Sequence, residues 1–551
     1  MLITAMAVSL SGIANDFVGD DLQLVTTDIR IQSLAHWREL FTRPFWPPPF
    51  PPDLYRPLLS AALSLEYAFG FGNPLVFRVV SYLLYAGACV ALLVLCSRIL
   101  PRPYALAAAV LFAVHPVHVE AVALAVGQGE LSVALAAFIM CFHYIDVRRA
   151  QPRTFNAALW VKLTILYAAA SLFKEQGLII PALAVAAELT FIHATFRERV
   201  RATWLGYAVL AAVACLVAVA RYRVLGQLSG ATPAEAFIGV GAPVRILTML
   251  AVVPQWLRLF TWPMHLRADY SPREMVASTT FGGAQLAGSL ILIAAVALAW
   301  RSRKNAPGVT FGLTWTALAL FPVSNLVVPT GIVLAERTLF LPSAGVMIAT
   351  VSGAQWTLDW ARKTGKSMRL PDRAAQIAFG ALIVLGMSRS IERQRVWRNQ
   401  GFFIARSVQN DPLSFRMQEA YGNLLFEIDQ PKLADEAYVR AMAYVPPSII
   451  WHVRDDLAKT LRSLGKTKEE AEQLRASLLQ QPNQEFARAE LVVADLALGR
   501  YSDAASEATQ GMAYAGNKNV LIGLRAVADS AERVDAPPGS VRVTLQGGMP
   551  W

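Results

Sequence analysis

The run "LVFRVVSYLLYAGACVALLVLC" (75–96) constrains this chain more than any other feature. Its 22 residues carry one charge, Arg78. As a helix they would span about 30 Å, the thickness of a bilayer's hydrocarbon core. Similar apolar stretches recur at about 2–15, 104–123, 130–146, 159–173, 177–195, 204–221, 283–300, 309–329, 336–354 and 375–391. The chain is 55% hydrophobic and only 16% charged, where a soluble domain carries about 25% charged residues. The excess apolar surface therefore faces lipid. Residues 397–551 read differently, as an ordinary soluble helical sequence, so two regions meet two solvents.

Loop charge sets the orientation. One further apolar stretch, 246–264, contains Pro254, Arg258 and Pro263, which argues against a simple crossing. With that stretch left out and the N-terminus inside, the basic clusters share one side. They are Arg98 and Arg102; Arg148, Arg149 and Arg153; Arg197, Arg199 and Arg201; Arg301, Arg303 and Lys304; and Arg362, Lys363, Lys366, Arg369 and Arg373. This is the positive-inside pattern. It predicts about eleven transmembrane helices, with 246–264 re-entrant and the C-terminal region outside. The net charge of +11 is thus spread over loops and implies no nucleic acid.

The four cysteines (Cys89, Cys96, Cys141, Cys215) all fall in apolar runs, with no metal-ligand spacing and no disulfide framework. Residues 2–14 lack the basic start of a cleavable signal peptide. They are also short for a span, so the first helix is either thin and tilted or begins upstream.

The same topology gathers four polar motifs on the outer face: "GDD" (19–21), "HPVHVEAV" (115–122), "FKEQG" (173–177) and "AERTLFLP" (335–342). Four loops supplying polar groups at one membrane level predict a single site. Two adjacent carboxylates beside an apolar helix are costly unless used, because burial and mutual repulsion both raise their pKa. That makes Asp20 or Asp21 a suitable general base. Lys174, Arg337 and Arg56 are the cations available to a leaving phosphate. Glu175 and Glu336 adjoin two of them, so local ion pairs at helix ends are the plain alternative. His115, His118 and Glu120 either line the site or cap a helix end; no third ligand completes a zinc set.

The first outer loop, about 16–74, contains an amphipathic stretch, "IQSLAHWRELF" (31–41), suited to the membrane interface. Seven prolines in "RPFWPPPFPPDLYRPL" (43–58) then forbid helix and stiffen the loop, as spacer, lid or acceptor contact. Downstream the chain repeats itself. With Phe415 as position 1, Gly422, Ala434, Tyr438, Ala441 and Pro446 fall at positions 8, 20, 24, 27 and 32 of a 34-residue tetratricopeptide unit. Units are predicted at 415–448, 451–482 (Ala458, Pro482) and 485–518 (Ala504), with a capping helix at 520–533 and an irregular end. Stacked pairs of this kind form concave surfaces that bind peptides.

"NDFVGDD", "YRPL", "HPVHVEAVA", "FKEQG" and "AERTLFLPSAGV", in this order and followed by such repeats, resemble the transmembrane and tetratricopeptide-repeat (TMTC) proteins. Those are O-mannosyltransferases of the GT-C class. The resemblance covers nearly the whole chain. It implies an all-α polytopic GT-C domain over 1–396 and an extracytoplasmic repeat α-solenoid over 397–551. It also implies transfer of one sugar from a polyprenyl-phosphate donor to a protein Ser/Thr hydroxyl, with the acidic motif Asp20–Asp21 catalytic. Arg56, His115, His118, Glu120, Lys174, Glu175 and Arg337 would bind substrate, with no metal assigned. Gly19 departs from the family, which usually carries an aromatic there. The compact length suits a bacterial inner-membrane version with its site on the periplasmic side. The competing expectation is a non-enzymatic scaffold that recruits partners through its repeats.

Overall fold

The computed structural model describes residues 2–228, 233–270, 275–364, 372–515, 518–543 and 545. Lys366, Arg369 and the side chain of Arg373, three members of the last basic cluster, lie outside the described residues, as do 544 and 546–551 of the irregular C-terminal end. All regular structure among the described residues is helical. The chain forms two compact units, residues 1–268 with 277–403 and residues 269–276 with 404–551. The division falls beyond the expected 396 because Trp397 packs on Phe403, ring centroids 4.7 Å apart.

Helices of ten residues or more in the first unit are α1 (Pro57–Gly70), α2 (Pro74–Ile99), α3 (Arg102–Ala113), α4 (Gln128–Ala150), α5 (Ala157–Phe173), α6 (Ile180–Phe191), α7 (Phe196–Leu225), α8 (Ala242–Thr261), α9 (Gly283–Ser302), α10 (Pro307–Leu320), α11 (Phe340–Lys363) and α12 (Asp372–Val396). Among the described residues six helices are long and apolar enough to cross a membrane: α2, α4, α7, α8, α9 and α11 with the turn before it. A seventh span results if α3 and residues 116–123 count as one, bent by 50°. The sequence predicts an unbroken helix there. It breaks because Pro116 has no N–H to give and forces His115 into an extended conformation (φ −73°, ψ 122°). Six of the eleven expected spans are not among these. α5, α6, α10 and the helix at 2–9 are shorter than a bilayer-crossing helix usually is, α3 counts only with residues 116–123, and α12 is not one of the six. α8, which was expected not to cross, is one unbroken helix of sufficient length.

The core of this unit is aromatic and tightly held. Trp315 of α10 stacks on Phe138 of α4 (5.7 Å) and donates to the Leu341 carbonyl at 2.9 Å. At the other end of α4, Arg148 pairs with Glu188 of α6 at 3.0 Å, both buried. A charge pair so placed satisfies itself where no water can.

In the second unit, antiparallel helix pairs follow one another: α13 (Gln400–Asn410), then α14 (Phe415–Glu427) with α15 (Pro431–Met442), α16 (Ile450–Ser463) with α17 (Thr467–Leu478), α18 (Glu485–Ala497) with α19 (Tyr501–Gly511), and α20 (Asn519–Arg533). Ala434, Ala441, Ala458 and Ala504 are fully buried, which is why small residues recur at those positions. Asp429, Gly465, Gly499 and Asp535 all have positive φ, between 45° and 75°. Each is followed by the same backbone bond: Gln430 to Leu425, Lys466 to Leu461, Arg500 to Asp495 and Ala536 to Ala531. This is the left-handed helix stop in which glycine is favoured. Its fourth occurrence shows α20 to be built like the first helix of another pair.

Gly465→Ala should therefore destabilise this unit by about 1 kcal/mol, the cost of a Cβ in the left-handed region. Gly523→Ala, at an exposed mid-helix position with open space around it, should stabilise it by about 0.5–1 kcal/mol. Amide hydrogen exchange of α16–α20 in the full chain reads both signs; the same sign for both would contradict the turn assignment.

Candidate active site

The acidic loop is tied down before it reaches the site. Asn15 donates to the Gln394 carbonyl (2.9 Å), the Asp16 amide to the Arg398 carbonyl (2.8 Å), and the Gly19 amide to the Gln400 side chain (2.9 Å). Gly19 has φ +55°, a conformation an aromatic residue would adopt only under strain. The turn it makes sends the two following carboxylates apart.

Asp21 points inward and is wholly buried. Its carboxylate accepts from the backbone amides of Ala125 (2.8 Å) and Val126 (3.0 Å), and lies 3.8 Å from the buried Arg78. Burial pushes it up to about 6, and the Asp20 charge adds a little. Arg78 and the two amides hold it below where burial alone would leave it. The sequence expectation placed both acids side by side at the surface; only Asp20 lies there, and Asp21 is buried. Asp21 is a staple between the first loop and the turn that begins α4.

Asp20 is about one-third exposed and receives Arg337 at 2.7 Å. Arg337 sits on the turn Glu336–Leu339 that starts α11. The same guanidinium lies 3.6 Å from Glu120 and 4.0 Å from Glu130, and the Arg337 amide donates to Glu120 at 2.9 Å. Lys174 bonds to Glu130. Burial pushes the Lys174 ammonium down to about 8; Glu130 opposes the fall, and the Arg56 and Arg337 charges add to it. Glu175 is gripped by Arg56 (2.9 Å) and Arg221 (3.2 Å). Burial alone would raise Glu175, but these two guanidiniums outweigh it and bring the carboxyl down to about 2.

The adjacent-residue ion pairs considered from sequence do not form. Lys174 and Glu175 diverge to separate partners. Glu336 takes the Arg267 amide at 2.5 Å and Arg393 at 3.4 Å while Arg337 faces the site. Polar groups of three of the four motifs, 19–21, 173–177 and 335–342, do converge around a cavity of about 550 Å³, whereas 115–122 supplies none of its wall. Its wall includes Asp20, Arg56, Glu130, Lys174, Glu175, Arg221 and Arg337 on one side. Apolar groups complete it, among them Leu178, Trp256, Val328, Ile332 and Leu334.

His115 and His118 are turned away from that wall. His115 faces the Phe260 carbonyl (3.1 Å) and caps the Val117 amide (3.3 Å). His118 lies between Phe112 and Phe340 with Ser343 at 2.8 Å. His115 thus caps a helix end, as the plainer expectation had it, whereas the His118 side chain caps none and packs in the core. Glu120 stands behind Arg337 instead of on the wall.

Sequence reasoning missed Glu130, Arg221 and Arg78. Glu130 begins an apolar run and Arg221 ends one. An acid or a base at a span's edge is the available signal, since burying it there is costly unless it is paired. Among the described residues no group of three His, Cys, Asp or Glu is arranged to hold a metal ion.

No family model matches the chain. Among solved structures, the APC/C hetero-tetramer Cut9-Hcn1 aligns over 85% of this chain and 92% of that one. With 12% identity and a TM-score of 0.24, that likeness carries no argument. Curated proteins are more informative. The chain is 25% identical over 499 residues to the protein O-mannosyl-transferase TMTC3 of Homo sapiens, covering 83% of this chain and 52% of that protein. It is 26% identical over 469 residues to TMTC4 of Mus musculus (74% and 61%) and 22% identical to TMTC1 of Homo sapiens (78% and 53%). It spans about half the length of the first of these relatives. The curated relatives of this chain are the TMTC protein O-mannosyl-transferases, as its ordered motifs imply.

Proposed function

We propose that this chain is an integral-membrane glycosyltransferase of GT-C type. It moves one sugar, mannose in the relatives' names, from a polyprenyl-phosphate donor to a protein Ser or Thr hydroxyl. The observation that carries this reading is the carboxylate of Asp20 on the wall of a cavity whose rim also presents Arg56, Lys174, Arg221 and Arg337. In a single displacement, the acceptor hydroxyl gives its proton to Asp20 as its oxygen bonds to the sugar's anomeric carbon. The bond from that carbon to the phosphate oxygen breaks, and the phosphate leaves with the electron pair. Arg337 fixes Asp20 toward the cavity, and the cations offset the charge that grows on the departing phosphate. A cavity of this volume suits one sugar phosphate. The apolar wall at Leu178, Trp256, Ile332 and Leu334 suits the first prenyl units. The repeats then present the protein acceptor. A scaffold recruiting partners through its repeats would need none of these polar groups.

Orientation follows from the helix ends. Asp20, Glu130, Lys174, Arg221 and Arg337 come from ends of successive elements that share one side of the unit, opposite the basic clusters at Arg148 and Arg301. α8 meets this polar side at both of its own ends. Arg245 reaches the carbonyls of Leu326 and Val327 (3.3 Å), and the Phe260 carbonyl faces His115. We infer that α8 lies along the interface and that the shorter helices complete about eleven crossings of a bacterial inner membrane. The cavity then opens to the periplasm. A reporter active only outside the cytoplasm, fused after Trp551, should be active; a silent fusion paired with an active cytoplasmic reporter contradicts this count.

Asp20→Asn keeps size and removes the proton acceptor, so purified enzyme should lose about 10²–10⁴ in turnover with its fold intact. Transfer near the wild-type rate would remove Asp20 as the base. Loss of periplasmic protein glycosylation in cells lacking this protein, read by mass spectrometry, tests the reaction itself.

Asp21→Asn should act on stability, by about 1–3 kcal/mol, because one buried amide loses its acceptor. The pH dependence has a definite sign. Burial pushes the folded carboxyl up to about 6, above the ordinary aspartate range. It therefore favours the folded state most at low pH, and that contribution fades as pH rises through 6. The substitution should thus cost more at about pH 5 than at about pH 8 in thermal unfolding. A cost that grows with pH would contradict the buried placement.

A further inference from the structure

Glu175 is held unlike the other acids of the cavity. Two guanidiniums from distant parts of the chain, Arg56 at the start of α1 and Arg221 near the end of α7, converge on its carboxylate. Arg221 has further hydrogen-bond anchors, whereas Arg56 bonds to Glu175 and is otherwise held by an aromatic ring. Arg221 donates Nη2 to the Asp53 carbonyl (2.7 Å) and Nε to the Leu228 carbonyl (3.0 Å). The Arg56 guanidinium lies over the Phe45 ring at 5.2 Å. The carboxylate between them is the most accessible of the three, 31% exposed against 14% and 13%. Asp53 also lines this end of the cavity, yet its carboxylate makes no ion pair with a cation among the described residues.

Glu175 is the one carboxylate hydrogen-bonded to both guanidiniums; Asp53 acts on them only through its charge, without a direct bond. A phosphate fits the pair better, because its oxygens can take both planar forks and its charge approaches the sum of theirs. We propose that Glu175 is an internal placeholder: in the empty site it occupies the position between Arg56 and Arg221 that a phosphate ester takes, and it must swing aside before that ester binds. Only the identity of the ester as a prenyl-phosphate sugar rests on the glycosyltransferase reading. The donor is a phosphodiester with one negative charge, and the leaving prenyl phosphate approaches two. A doubly cationic seat, cleared of its own carboxylate, therefore binds the departing group more tightly than the donor, which lowers the barrier to transfer. Lys174 and Arg337 are less free to serve there, since Glu130, Glu120 and Asp20 already engage them.

The test uses the full-length protein in detergent with farnesyl phosphate as the anionic probe and farnesol as its neutral control. Removing an internal competitor raises the fraction of open sites, so Glu175→Gln should bind farnesyl phosphate about tenfold more tightly than wild type. Arg221→Gln should bind it about tenfold more weakly, and farnesol should not distinguish the three. Should Glu175→Gln fail to fold, Glu175→Asp keeps the charge but shortens the reach, and should tighten the probe by about threefold. Unchanged or weaker binding in whichever variant folds overturns the placeholder. Tightened binding in an enzyme that transfers no sugar would leave the placeholder standing and overturn the transferase reading instead.

Discussion

The Arg337 guanidinium is the point on which the polar end of the first unit closes. It reaches Asp20 from the first loop, Glu120 from the segment 116–123 beyond the bend after α3, and Glu130 from the first turn of α4. Its own amide donates to Glu120 as well. One cation facing three carboxylates in a poorly hydrated place is strongly held. Glu120 is buried and relies on it, while Glu130 shares Lys174 and Asp20 keeps contact with water. The elements carrying them must therefore arrive together, and that convergence leaves the cavity between them.

Much of this arrangement is legible in the sequence, for identifiable reasons. Long apolar runs mark helices, loop charge ranks their ends, and so "GDD", "HPVHVEAV", "FKEQG" and "AERT" fall on one side before any partner is known. Spacing alone also sets the repeat register, because Ala434, Tyr438 and Ala441 must be small or shaped to a neighbouring helix, and all three are buried. Partner choice is not legible. Lys174 has an acid beside it in sequence and pairs with one 44 residues away. Where a helix ends, consecutive side chains point in different directions, so adjacency in sequence argues against pairing. Glu130 and Arg221 escaped notice because a charge at the rim of an apolar run also reads as a simple boundary.

The pair at 20 and 21 shows how one polar motif can divide its labour. A reverse turn at Gly19 points Asp20 to the cavity and Asp21 to the protein interior. The inner acid binds two backbone amides at the turn into α4, and that helix begins with Glu130, a partner of both Lys174 and Arg337. The buried acid thus sets the distance between the loop that carries the proposed base and the helix that holds its cations. A base must sit within hydrogen-bond reach of the proton it removes, and a displacement of about 1 Å can cost a hundredfold in rate. A staple of this kind bears on turnover without touching substrate.

The two units also hold their charges on different terms. In the repeats, pairs such as Lys466 with Asp435 lie open to water, where an ion pair contributes little to stability. In the membrane unit, Arg148 with Glu188 and Arg337 with its acids are largely withdrawn from it. There an unmatched charge costs several kcal/mol, so each cation's partner is part of the fold. The seat at Arg56 and Arg221 is the exception that the geometry leaves open: two anchored guanidiniums facing a cavity through a single, more exposed carboxylate. A site built to receive an anion must keep its cations in place while empty. An internal acid is the least disruptive way to do so, because it limits the repulsion between the two cations without filling the cavity.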